Sequence, residues 1–142
     1  MHNELPEIPE ITVPLKVYFF DTDAGGVVHN AAYLRMVEIA RSDLAEKLGW
    51  PLALMNTEEC PVVTRAEIDY LKPARLGDEL RIHSRLAGME RARFYIETVI
   101  TSAATGEVLC RCRQTLATVQ LRSGRPRSVR KDWRAKWPRL AE

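Results

Sequence analysis

Asp23 stands in the run Asp21-Thr22-Asp23-Ala24-Gly25-Gly26-Val27-Val28-His29-Asn30, between a strand-like stretch and a long apolar helix pattern. A carboxylate at a glycine-permitted turn just ahead of a helix start has two routes to acyl-transfer chemistry. It can attack an electron-poor carbonyl carbon, or it can activate the water that does so. The first N–H groups of a helix have no intrahelical acceptor, and the helix dipole makes that end electropositive, so they suit a developing oxyanion. A turn or capping carboxylate is the plain alternative for Asp23. Gly25 and Gly26 allow positive φ or close approach of backbone to a ligand, and their N–H groups, with that of Asn30, are candidate donors to a carbonyl oxygen. His29 is a base or an orienting partner for Asp23, or else a histidine hydrogen-bonded at the helix entrance. Asn30 has the right side chain for an N-cap. Asp21 reads as structural.

Other chemical residue types are weaker candidates. Cys110 and Cys112 are two apart on a predicted strand and so share a face. They lack a second Cys/His pair at zinc spacing, so no metal site is expected and a core role is preferred. His83 falls on the wet face of a strand, and His2 in the lead-in is uninformative. Glu38 falls on the polar edge of the helix, where a salt-bridge partner is expected.

The elements that must position Asp23 follow from periodicity. Leu15 to Phe20 is β-branched and aromatic and predicts a strand. A helix is predicted from about Ala31 to Leu48, stopped by Gly49 with Pro51 beyond. Tyr33, Met36, Val37, Ala40 and Leu44 recur at helical spacing. Leu34, Ile39, Ala45 and Leu48 widen that surface, which predicts a mostly buried helix. Thr64, Ala66, Ile68 and Tyr70 then alternate with Arg65, Glu67 and Asp69. Leu80, Ile82, Ser84 and Leu86 alternate with Arg81, His83 and Arg85. Both segments predict strands with one dry face. Arg93 to Thr101 and Val108 to Gln120 predict two more, joined by short turn-like links that favour antiparallel neighbours. One helix against one antiparallel sheet is an α+β domain. The 142 residues are expected to form one domain, with a loosely held lead-in over 1–14 and a basic tail over 122–142. A short helix is predicted in that tail near Lys131 to Trp137, ended by Pro138.

Composition limits the functional classes. The net charge of +2 is unevenly spread: residues 1–110 carry a balance of −6 and residues 111–142 a balance of +8. Arg111, Arg113, Arg122, Arg125, Arg127, Arg130 and Lys131 suit an anionic partner, with a solvated, partly disordered tail as the alternative. Nucleic acid is disfavoured as that partner, because no helix-turn-helix, zinc finger or stacking-aromatic strand accompanies the charge. No secretory signal and no membrane-spanning run is read in the chain. Three cysteines do not suggest a disulfide framework, and a cytoplasmic location is expected.

Asp23-Ala24-Gly25-Gly26-Val27-Val28, then Tyr33 and the helix, then Tyr70-Leu71-Lys72-Pro73-Ala74-Arg75-Leu76-Gly77-Asp78, resembles the 4-hydroxybenzoyl-CoA thioesterase family. The branch most resembled is that of the acyl-CoA thioesterases associated with the Tol–Pal system. The resemblance covers roughly Leu15 to Leu121. It implies a hotdog fold, a five-stranded antiparallel sheet wrapped around one long helix, assembled as a homodimer or homotetramer with sites at the subunit interface. It implies hydrolysis of an acyl-CoA thioester to a free acid and coenzyme A, without metal or organic cofactor. The catalytic Asp of the family aligns with Asp23, and its backbone oxyanion donor aligns with Asn30. Gly25, Gly26, Val28 and Tyr33 are the candidate substrate-binding residues, with Met36 another candidate for lining the acyl pocket. The family's Tyr-His-Ala-Asn-Tyr stretch is replaced by His29-Asn30-Ala31-Ala32-Tyr33, so a side-chain role for His29 does not transfer with the motif. A non-catalytic hotdog module that binds acyl thioesters or a protein partner is the competing class. A hotdog dehydratase or hydratase is disfavoured, because its His-plus-acid pairing is not evident.

Overall fold

In the computed structural model, residues 5–50 and 59–141 are described. The expectations for His2 and Pro51 fall outside them. Five long strands, β1 (Glu10–Lys16), β2 (Glu59–Tyr70), β3 (Glu79–Met89), β4 (Arg93–Ser102) and β5 (Val108–Gln120), are followed by the two-residue β6 (Pro126–Arg127). The helix α1 (Asn30–Lys47) lies between β1 and β2, and the short α2 (Lys131–Lys136) follows β6. The sheet is antiparallel in the order β1-β3-β4-β5-β2, with β6 paired to β5. α1 packs against β3, β1 and β4, which is the expected hotdog arrangement. Among the described residues no helix is long and apolar enough to cross a membrane.

The first strand lies upstream of where β-propensity put it. Ile11, Val13 and Leu15 turn inward on β1, and Val17 continues the buried side just after it. Tyr18, Phe19 and Phe20 are strong β formers, yet the chain leaves the sheet there. Asp21 accepts the Tyr18 N–H through Oδ2 at 3.0 Å and folds Phe19–Asp21 into a 3₁₀ turn. The lead-in is therefore held in place from Glu10 onward by pairing with β3.

α1 buries Ala32, Tyr33, Met36, Val37, Ala40 and Leu44. Leu34 and Ala31 are exposed, so the helix is buried on one side only. Gly49 ends it at φ 82°, with Gly49 N–H donating to Glu46 O at 3.2 Å and Trp50 N–H to Ala45 O at 2.8 Å. Those two bonds satisfy carbonyls that the last turn leaves open.

β3 alternates as expected, with Leu80, Ile82, Ser84 and Leu86 buried. β2 does not. Of its predicted dry set, Thr64, Ala66 and Tyr70 are exposed and only Ile68 is half-buried. Among the described residues β2 pairs only with β5; it lies outside the strands that α1 chiefly covers and carries a bulge between Val63 and Arg65. Its inward side chains are therefore only partly covered among the described residues, Val63 and Ile68 by the edges of the core and Tyr70 by the Tyr33 ring.

The basic tail is built into the fold. Gly124 turns at φ 70°, Gln120 N–H donates to Arg125 O at 2.8 Å, and β6 pairs with β5. α2 then buries Trp133, whose indole N–H donates to Leu48 O at 2.8 Å. Trp137 is also buried and its indole donates to Glu7 O at 3.2 Å. Trp50, Phe94 and Trp133 pack edge-on or tilted around this docking point.

Candidate active site

The Asp23 turn is fixed by its own backbone. Asp23 N–H donates to Val27 O at 2.9 Å and Gly26 N–H to Asp23 O at 3.0 Å. Gly26 adopts φ 75°, a conformation that disfavours side chains. Gly25 N–H donates to Asp23 Oδ1 at 2.8 Å, and a Cβ on Gly25 would come within 3.3 Å of that oxygen. The expected use of Gly25 and Gly26 as oxyanion donors is thereby overturned, since both N–H groups are spent inside the turn. Gly25 N–H holds one oxygen of the Asp23 carboxylate, while Gly26 closes the backbone of the turn. Among the described residues Oδ2 takes no hydrogen bond, and Asp23 is exposed.

A second loop, the one carrying Tyr70 to Asp78, closes against this turn. Val28 N–H donates to Ala74 O at 2.8 Å, Leu76 N–H donates to Gly26 O at 3.0 Å, and Val27 bridges Arg75. Tyr33 on α1 joins both parts, its hydroxyl accepting the Ala74 N–H at 2.9 Å. Burial raises the Tyr33 pKa, only partly opposed by that bond, so the phenol is neutral and structural. Its ring packs edge-on against Tyr70 with centroids 5.5 Å apart.

Between the two loops lies a cleft of about 570 Å³, lined by Asp23, Val27, Val28, His29, Asn30, Ala31, Tyr33 and Tyr70 to Pro73. The structure thus brings Asp23, His29, Asn30, Val28 and Tyr33 to one opening and leaves Gly25 and Gly26 behind it. Met36 is fully buried in the core beneath and does not line the cleft. Tyr70, Leu71, Lys72 and Pro73 line it and were not read as site residues. Their signal was present in the second motif, Tyr70 to Asp78, which carried the resemblance alone.

The N-cap position differs from expectation. It is held by His29, with no side-chain cap bond, and Asn30 is the first helical residue. The Asn30 side chain therefore does not cap α1. Its N–H belongs to the first turn, which has no intrahelical acceptor, and so it is available to the cleft as a donor. His29 is half-buried, and its backbone N–H donates to Asp21 O at 3.1 Å. No hydrogen bond joins its imidazole to Asp23 among the described residues. Asp21 is buried and pairs with Arg35, in the structural role expected of it.

The remaining candidates do not converge on the cleft. Glu38 pairs with Arg41 and receives Gln114 Nε2 at 3.5 Å. His83 Nε2 lies 3.3 Å from Glu10 Oε1 on the outer face. Burial pushes the Cys110 thiol up to about 12 and the Cys112 thiol to about 11, so neither is a nucleophile near neutrality. Among the described residues no group of three or more His, Cys, Asp or Glu side chains is placed to hold a metal ion.

Comparison with known proteins places this geometry. Residues 17–137 match the model of the thioesterase-like superfamily. The acyl-CoA thioester hydrolase YbgC of Escherichia coli O157:H7 is 39% identical over 77 residues, 54% of this chain, and the match spans 58% of that relative's length. The acyl-CoA thioesterase YbgC of Haemophilus influenzae is 34% identical over 105 residues, 68% of this chain and 77% of the relative. A crystal structure of a thioesterase complexed with coenzyme A and Zn from Thermus thermophilus superposes with a TM-score of 0.76. It is 30% identical, with 96% of this chain and 97% of that one covered.

Proposed function

This chain belongs to the thioesterase-like superfamily, and from that premise we propose that it hydrolyses an acyl-CoA thioester. One observation carries the reading: the Asp23 carboxylate and the open N–H groups at the start of α1 line the same cleft. The thioester oxygen docks on Asn30 N–H, and Asp23 delivers the attacking oxygen, either directly or by taking a proton from water. In the water route the tetrahedral oxyanion forms against the helix start. Its collapse expels coenzyme A thiolate, which recovers the proton from Asp23. In the direct route Asp23 attacks the carbonyl carbon and displaces coenzyme A thiolate to form an anhydride, and water then opens it, restoring the Asp23 carboxylate and releasing the acid with the proton that the thiolate takes up. Val28, Tyr33 and Tyr70 supply the wall for the acyl group, and His29 flanks the carboxylate.

The finer placement, among the thioesterases associated with the Tol–Pal system, is supported by the two motifs at Asp23–Val28 and Tyr70–Asp78. The free thiols of Cys60, Cys110 and Cys112 support a cytoplasmic location. The open edge of β2 supports a homodimer. Among the described residues its twelve residues leave one backbone edge without a partner strand, and Val62 and Tyr70 are exposed at 41% and 47%. Unprotected edges of this length invite pairing with another strand, and antiparallel pairing with a second β2 closes it.

The test is free-thiol release from short aliphatic, long aliphatic and aromatic acyl-CoAs, with Asp23→Asn beside the wild type. Turnover of one class that the variant loses establishes the reaction. Binding of acyl-CoA without turnover would instead favour the non-catalytic module.

A further inference from the structure

We propose that the Tyr70 hydroxyl is a second donor to the thioester oxygen, acting beside the Asn30 N–H. The proposal rests on the thioesterase reading above and deepens it by adding a side chain to the oxyanion site.

Tyr70 is the last residue of β2, and the fold holds it from three sides. Its backbone pairs with Cys110 of β5. The chain just beyond it is pinned, with Leu71 N–H and Lys72 N–H both donating to Leu109 O, at 2.9 and 3.1 Å. Its ring lies edge-on against Tyr33, and Tyr33 is itself fixed by the Ala74 N–H. Strand side chains stand roughly perpendicular to the sheet, so pairing along the β2 edge leaves the Tyr70 ring in the cleft that it lines with Asp23 and Asn30.

The hydroxyl lies beside the start of α1 and can change partners. Among the described residues its one bond is to Asn30 O, at 3.5 Å. That is long for an O–H···O bond, and the helix supplies Asn30 O with a donor of its own from four residues on. Asn30 O is three bonds from Asn30 N, within about 4 Å. An oxygen docked on the Asn30 N–H is therefore close enough for Tyr70 Oη to turn to it. Two other side-chain donors of the cleft are engaged: Lys72 pairs with Glu107, and Tyr33 is buried against Ala74.

Charge grows on the thioester oxygen as its carbon becomes tetrahedral. A hydroxyl donating to an oxyanion makes a shorter and stronger bond than one donating to a neutral carbonyl. Tyr70 thus exchanges a long bond to a helix carbonyl for a short one that is strongest in the transition state, and its contribution falls on kcat more than on KM. One donor stands on a helix start and the other on a strand end, so neither has to be ordered during the reaction.

Two measurements test it. The first compares wild type, Tyr70→Phe and Tyr70→Leu in thiol release from an acyl-CoA that the wild type turns over. Tyr70→Phe keeps the ring and should lower kcat about 10²-fold, with KM and the urea midpoint near those of wild type. Tyr70→Leu should lose at least as much. A phenylalanine variant with wild-type kcat beside a damaged leucine variant would leave Tyr70 as wall alone and overturn the proposal. The second measurement needs no turnover. It is binding of a trifluoromethyl ketone analogue of acyl-CoA, whose carbonyl carbon adds a nucleophile and holds the resulting oxyanion, beside binding of free coenzyme A. Wild type should prefer the ketone, and that preference should fall about tenfold or more in Tyr70→Phe. An unchanged preference overturns the proposal, as does a wild type that holds the ketone no more tightly than coenzyme A. A Tyr70-dependent preference in a protein that hydrolyses no acyl-CoA would instead count against the thioesterase reading alone.

Discussion

The two ends of α1 are held by different physics. At its start the chain uses backbone hydrogen bonds: the Asp23 turn, the Ala74 loop and Tyr33 form a polar framework around an exposed carboxylate. At its end, Leu44, Leu48 and Trp50 pack with Phe94, Ile96, Trp133 and Trp137 in an apolar cluster. Hydrogen-bonded turns fix direction at small net gain in stability, whereas buried aromatic area supplies stability without directing any reactive group. The exposed carboxylate at the first end is solvated and sits above an apolar cluster of its own, which includes Val28, Ala32, Tyr33 and Met36. The division predicts that changes at the start of α1 alter rate with little effect on stability, and that changes at its end do the reverse.

The largest expected effect is Asp23→Asn. Loss of a carboxylate acting on the reacting oxygen lowers kcat by about 10²–10⁴-fold. The amide oxygen still accepts the Gly25 N–H, so the urea midpoint should hold. A variant that retains turnover, or one that unfolds, would break the separation of roles at that end. Trp133→Ala is the converse. It removes a side chain 1% exposed and should lower unfolding free energy by about 3–5 kcal/mol. In the fraction that remains folded, kcat should match the wild type. A kcat that falls in step with stability would show the two ends to be coupled through α1.

Tyr33 lies on the boundary. Tyr33→Phe leaves the buried Ala74 N–H without its acceptor, at about 1–3 kcal/mol, and frees the loop that faces Asp23. It should raise KM while leaving most of kcat, so it sharpens the comparison by showing how far the polar framework carries stability. Cys110 and Cys112 probe the core between the two ends. Their unfolded-state thiols ionise near 9.0, while burial holds the folded ones to about 12 and 11. Below pH 9 both states keep the proton and the groups have no effect. As pH rises above 9 the unfolded chain loses protons first, so stability declines until the folded thiols themselves ionise. Unfolding of wild type and of Cys110→Ala, Cys112→Ala across that window should show the steeper decline in the wild type.

Legibility followed the same division. The helix, the four later strands and the Asp23 turn were readable because each writes its period or its turn chemistry into a few neighbouring residues. The first strand was misplaced because Tyr18, Phe19 and Phe20 have high β-propensity, while the competing bond from Asp21 to the Tyr18 N–H leaves no periodic mark. The dry face of β2 failed because alternation records which side chains share a face, not whether anything covers it. The docked tail was hidden behind its charge: Trp133 and Trp137 carry the packing, but ten Lys and Arg residues from Arg111 onward read as solvated chain. Gly25 and Gly26 were recognised as a special turn, yet which acceptor each N–H would meet depended on coordinates that no local pattern encodes.

Asn30 offers the smallest effect and the finest test of the helix start. Read as an N-cap, its side chain would contribute about 1 kcal/mol. As the first helical residue it makes no cap bond, because His29 occupies the cap position without one. Asn30→Ala removes a side chain and keeps the N–H, and alanine is the better helix former. Unfolding free energy should then stay within about 0.5 kcal/mol of wild type, and kcat should be retained, as the proposed donor role of the Asn30 N–H requires. A loss near 1 kcal/mol would return the cap to Asn30. A loss of turnover as large as that of Asp23→Asn would place its amide in the reaction and extend the chemical region of α1 from its backbone to its side chains.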